Sequence, residues 1–71
     1  MTIKITLTKK LNEELKGLLE QLQEEHKGML EGVYDLYDSL YVNGEVSSYS
    51  KARTYYVAYT LADNNIEFTI E

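Results

Sequence analysis

Apolar and polar positions alternate at both ends of the chain. Ile3, Ile5 and Leu7 fall on one side of the N-terminal segment, with Thr2, Lys4, Thr6 and Thr8 on the other. That is the period of a half-buried strand. Ile66, Phe68 and Ile70 alternate in the same way with Glu67, Thr69 and Glu71. The two ends are therefore expected to pair in one sheet with their apolar faces on a shared core.

Between them the period changes from two to 3.6. Leu11, Leu15, Leu18, Leu22, His26, Met29, Val33, Leu36 and Leu40 recur at spacings of four and three, with Leu19, Leu30 and Tyr37 on the flank. Thr8 is the expected N-cap and Asn43-Gly44 the expected C-cap. Gly17, Gly28 and Gly32 interrupt the stripe at about 1 kcal/mol each, which allows a break near Gly28. The phase does not slip there, however, and a new helix would lack an N-cap. The pattern therefore predicts one helix of roughly 34 residues, about 50 Å long.

The stretch from Val46 to Asn65 admits two readings. As a helix, Val46 staples a Ser47 N-cap, Ala52, Tyr55, Tyr56, Tyr59 and Ala62 share a face, and Asn64-Asn65 end it. As a strand, Tyr55, Val57, Tyr59 and Leu61 alternate before an Asp63-Asn64-Asn65 hairpin turn. The helix is favoured because a shorter helix and a terminal strand together span the long helix, in which layout the two strands run parallel. The expected fold is a small two-layer α+β domain over residues 1–71, ordered strand, long helix, shorter helix, strand. The alternative is strand, long helix and β-hairpin in a three-stranded sheet. Either sheet has open edges, through which a homodimer can form.

Composition narrows the chemistry. The 71 residues set 7 Lys and Arg against 12 Asp and Glu, a net charge of −5, which argues against direct nucleic-acid or membrane-surface binding through a basic patch. Without cysteine there is no disulfide or thiolate chemistry. The start has no hydrophobic signal region and no long apolar run follows, so a cytoplasmic location and no membrane association are expected. A chain this short buries only about 60% of its unfolded surface and often relies on self-association.

No catalytic constellation stands out. His26, the sole imidazole, lies on the apolar stripe with no ligand at helical spacing, so a core or interface role is expected and no metal or cofactor. The serines have no nearby base. Three of the four glycines lie inside the helical pattern rather than in a phosphate loop. Gly28 and Gly32 are expected to admit a closely packed neighbour. Paired carboxylates occur on any acidic helix, and the chain is read as a non-enzyme.

Two surface features remain. On a continuous helix Glu13, Glu20, Glu24, Glu31, Asp35 and Asp38 fall within about 60° of arc opposite the leucines. Lys16 and Lys27 interleave with the first four at ion-pair spacing. Asp35 and Asp38 in the last turns, like Lys9 and Lys10 in the first, would oppose the helix dipole, a local rule broken where function is expected. All seven tyrosines lie between Tyr34 and Tyr59, and packed as a hairpin they would face one another. Tyr34, Tyr37 and Tyr41 interleave with Asp35 and Asp38. Together with Glu20, Glu24 and Glu31 they form the expected partner-binding set: tyrosines for buried area, carboxylates for steering and for bonds to Arg or Lys.

The function these features imply is that of a small acidic protein that engages a basic protein surface as an inhibitor or antagonist. A nucleic-acid-binding partner occupied by a decoy, as in phage-type anti-defence, suits the size and charge. The alternatives are a homo-oligomeric structural or regulatory subunit and an antitoxin or immunity protein.

Overall fold

The structure, a computed structural model, describes residues 2–29 and 31–71. Its elements follow the order β1 (Ile3–Leu7), α1 (Glu13–Glu25), α2 (Val33–Asn43), β2 (Glu45–Ser48), α3 (Lys51–Asp63) and β3 (Phe68–Ile70). Three helices and a three-stranded antiparallel sheet of order β2-β1-β3 make a two-layer α+β domain. Ile5, Leu7 and Val46 are buried beneath the helices, while Glu45, Ser47 and Thr69 on the opposite sheet face are exposed.

The ends of the chain do pair, with Ile5 opposite Ile70 and Leu7 opposite Phe68. They run antiparallel rather than parallel, since four elements, and so five connections, separate β1 from β3, where the expected layout lacked the helix break and β2 and had two elements and three connections. Thr8 is not a helix cap, because the sheet claims it. Its N–H donates to the Glu67 carbonyl at 3.3 Å. The cap of α1 is Asn12, whose side-chain oxygen accepts from the Leu15 N–H at 2.8 Å.

The single long helix is in fact two, folded back on one another. Gly28 and Gly32 adopt left-handed φ values of 82° and 87°, and α2 opens on Gly32 without a side-chain cap. Gln23 Nε2 donates to the Tyr34 carbonyl at 3.0 Å, and Lys16 lies over the Tyr41 ring, 5.6 Å from its centroid. These pairs add to the same residue sum, as they must in an antiparallel helical hairpin. A straight helix of about 50 Å would overrun a molecule whose longest extent is 31 Å. The connection, residues 26–32, is about two helical turns' worth of chain, so the apolar pattern stays in phase across the break and conceals it. Leu30, expected on the flank of the stripe, lies outside the described residues.

α2 ends where expected, at Gly44, with φ 74° and its N–H on the Leu40 carbonyl at 2.8 Å. The next residues form a strand that the pattern did not reveal. Val46 is no staple for a Ser47 cap; it pairs with Ile5 and is buried. Ser50 caps α3 instead, accepting from the Arg53 N–H at 3.2 Å. The helical reading of this stretch holds over Lys51–Asp63. It closes in a Schellman motif: Asn65 is left-handed at φ 59°, its N–H reaches the Ala62 carbonyl, and the Ile66 N–H reaches Leu61. The core gathers Ile5, Leu19, Tyr37, Leu40, Val57 and Leu61, all fully buried.

Candidate functional site

Residues 12–43 hold eight of the chain's twelve carboxylates but only two of its seven cationic side chains. The helical hairpin is thus the acidic part of the molecule. Leu19, Leu22 and Gln23 turn α1 inward, leaving Glu13, Glu20 and Glu24 exposed on its outer ridge. Val33, Leu36, Tyr37 and Leu40 turn α2 inward, leaving Tyr34, Asp35 and Asp38 exposed. Two contacts lace the seam between them, Lys16 over Tyr41 and Lys27 over Tyr34, 5.9 Å from its centroid. Glu13 and Glu20 stand three residues before and four after Lys16; Asp38 stands between Tyr34 and Tyr41 at the same spacings. Carboxylates from both helices therefore border one aromatic seam.

The lysines do not neutralise those carboxylates as the sequence spacing suggested. Among the described residues the sole ion pair is Lys4 to Glu45, at 2.8 Å on the sheet. Lys16 and Lys27 are instead placed over tyrosine rings, where a cation meets the negative π face.

Two expectations at this site are corrected. Tyr37 is 0% exposed and belongs to the core, not to a contact surface. The dipole argument also fails, because the helix ends lie elsewhere. Glu13 and Glu14 fill the first turn of α1, Asp35 sits in the first turn of α2, and Lys9 and Lys10 precede α1 altogether. All these carboxylates lie where the dipole favours them. Of the remaining expected residues, Glu20, Glu24, Tyr34, Asp38 and the half-buried Tyr41 border the seam, Asp35 lies exposed on the far side of α2, and Glu31 is exposed in the connection.

A second cluster ties the hairpin's bend to α3. His26 Nδ1 lies 2.7 Å from the Tyr56 hydroxyl, its ring stacks on Tyr37 with centroids 6.3 Å apart, and Tyr56 meets it edge-on at 5.4 Å. Burial raises the Tyr37 pKa above its ordinary value; the Thr60 hydroxyl pulls it back, and the charges of Tyr56 and Glu25 add to the rise. No hydrogen bond of good geometry reaches the Tyr37 hydroxyl, and the Thr60 proton is donated to the Tyr56 carbonyl at 3.0 Å. Beside the bend, a Cβ on Gly32 would lie 2.9 Å from Arg53 Nε, the close neighbour expected of that glycine, whereas Gly28 faces open space.

Tyr55 and Tyr59 of α3 point the other way. Its inward face is Thr54, Val57, Ala58 and Leu61, so Ala52, Tyr55, Tyr59 and Ala62 line its outer ridge, with Tyr59 70% exposed and Tyr49, before the helix, 81%. The seven tyrosines do not form one patch. The i, i+3, i+4, i+7 set beginning at Thr54 was the available signal for the true core face, obscured because Thr is polar and Tyr passes equally for core or surface.

A groove of about 540 Å³ runs between the start of α1 and the α3–β3 turn, floored by Leu15, Leu18 and Ile66 and rimmed by Lys9, Lys10 and Asn65. Glu14 and Glu67 also line it. Among the described residues no group of three or more His, Asp or Glu is placed to hold a metal, and no helix is long and apolar enough to cross a membrane. Comparison with protein-family models found no match, and neither did comparison with curated proteins or with solved structures.

Proposed function

We propose that this chain is a cytoplasmic, non-enzymatic binding protein whose helical hairpin engages a basic protein surface and thereby inhibits it. One observation carries the reading: exposed carboxylates of α1 and α2 border a tyrosine seam and, among the described residues, form no ion pair. Tyr34 and Tyr41 would supply rigid amphipathic contact area at the centre. Glu20, Glu24 and Asp38 would supply steering and charge-assisted hydrogen bonds to Arg or Lys at the rim. A protein that grips nucleic acid presents the required basic surface, and the hairpin would occupy it as a decoy. Tyr37 contributes only by holding α2 in place.

The test reverses charge at exposed positions. Glu20→Lys with Asp38→Lys should leave the circular dichroism spectrum unchanged and abolish capture of basic proteins from a cell lysate. Proteins captured by the unaltered chain should be released by duplex DNA. Capture that survives the double reversal would sink this reading.

A further inference from the structure

We infer that the outer ridge of α3 is a self-association surface, and that its occupant is a second copy of this chain packed antiparallel across a two-fold axis. The ridge residues are Ala52, Tyr55, Tyr59 and Ala62, at spacings of three, four and three. That order reads the same in both directions about Val57, whose own side chain is fully buried. A two-fold interface needs such self-complementarity, since each patch must meet its own copy. With the axis level with Val57, Tyr55 faces the partner's Tyr59 and Ala52 faces the partner's Ala62. Large meets large where offset or edge-to-face aromatic pairs form, and the small alanines let the helices approach.

Charge and area point to the same occupant. Between Ala52 and Ala62 the ridge itself carries no group that is charged at neutral pH, in a chain of net charge −5. The exposed Lys51 and Asp63 at its two ends have opposite sign, so that in the antiparallel pair each faces the other on the partner. The acidic hairpin lies on another side, because Arg53 and Tyr56, which contact its bend, occupy a different flank of α3. Two copies can therefore meet here without opposing their carboxylates. A Tyr side chain offers about 150–250 Å². At 43% and 70% exposure, Tyr55 and Tyr59 present on the order of 200 Å², about a quarter of the roughly 800 Å² per partner in a standard interface, to which the exposed Ala52 and Ala62 add. Association here also leaves the hairpins exposed, so the dimer is bivalent for a basic partner.

Sedimentation equilibrium and a paired-cysteine variant test the inference. The unaltered chain should sediment with twice its 8.2 kDa mass in the micromolar range. Tyr59→Glu should weaken dimerisation by at least roughly 30-fold, the hot-spot threshold, with an unchanged circular dichroism spectrum because the residue is exposed. The chain has no cysteine, so Ala52→Cys combined with Ala62→Cys reports the packing directly. The two positions are about 15 Å apart within one helix, beyond disulfide reach, and should oxidise to a covalent dimer. Either single variant should not. A mass of 8.2 kDa at every concentration overturns the inference. So does a dimer that is indifferent to Tyr59→Glu and fails to cross-link, since its contact must lie elsewhere, as at a sheet edge.

Discussion

Tyr37 and Tyr56 sit in one cluster and should answer differently to the same change. The Tyr37 hydroxyl is fully buried without a well-formed hydrogen bond, and an unpaired buried polar group costs about 1–3 kcal/mol. Tyr37→Phe should therefore leave stability unchanged or raise it by about 1 kcal/mol; a loss of that size in urea unfolding would mean that Thr60 partners the hydroxyl after all. Tyr56→Phe removes the 2.7 Å bond to His26 Nδ1 and should cost about 1 kcal/mol. pH separates them further. Burial raises the Tyr37 pKa in the fold, so the unfolded chain releases its proton first and stability falls as pH rises above about 10, until the folded phenol also titrates. Lys4 acts in the same sense. Its hydrogen bond to Glu45 raises its pKa, so that contribution is complete below the unfolded lysine value and is lost as pH rises through the folded one. Urea midpoints from about pH 9 to 12 should fall less steeply for Tyr37→Phe than for the unaltered chain.

At the scale of elements, the bend between α1 and α2 depends on two left-handed glycines, and three substitutions separate their roles. Gly17 lies within α1 with open space around it, so Gly17→Ala should stabilise by about 1 kcal/mol. Gly28→Ala meets no atom but must hold φ near 82°, and should cost about 1–2 kcal/mol. Gly32→Ala adds a clash with the Arg53 side chain to the same strain and should be the most destabilising of the three. A Gly28→Ala variant as stable as Gly17→Ala would show that the bend is not held by backbone conformation. Element type was legible through most of the chain: the terminal strands, the C-cap at Gly44 and the Asn64-Asn65 stop all follow from local chemistry. The break was not, since a seven-residue turn preserves the helical phase. Nor was β2, because Glu45–Ser48 is four residues with one apolar side chain and becomes a strand only by pairing with Ile3 to Thr6.

At the scale of the molecule, two aromatic surfaces are separate: a seam bordered by carboxylates on the hairpin and, on another side, the Tyr55–Tyr59 ridge of α3. If the hairpin is the partner surface, affinity for a basic protein should fall steeply with salt, since exposed charges beyond about 10 Å are screened at 0.1 M. Dimerisation through α3 should hardly respond. Titration calorimetry and sedimentation over the same salt series check both. Equal salt sensitivity of the two events would mean that one surface serves both.

Much of the candidate site was legible as residue type, and little of it as arrangement. The acidity, the tyrosine excess and the absence of cysteine are properties of the chain, and any fold must display them. Local pattern likewise determined the class, α+β, because periods of two and 3.6 require strands and helices to bury one face. Only tertiary structure decided which tyrosines face outward, which helix turn carries Asp35, and that Lys16 and Lys27 lie over rings instead of pairing with Glu. The physical reason is the bend. Folding the long apolar stripe back on itself buries both halves on one core, and it places side by side residues that a straight helix would hold far apart.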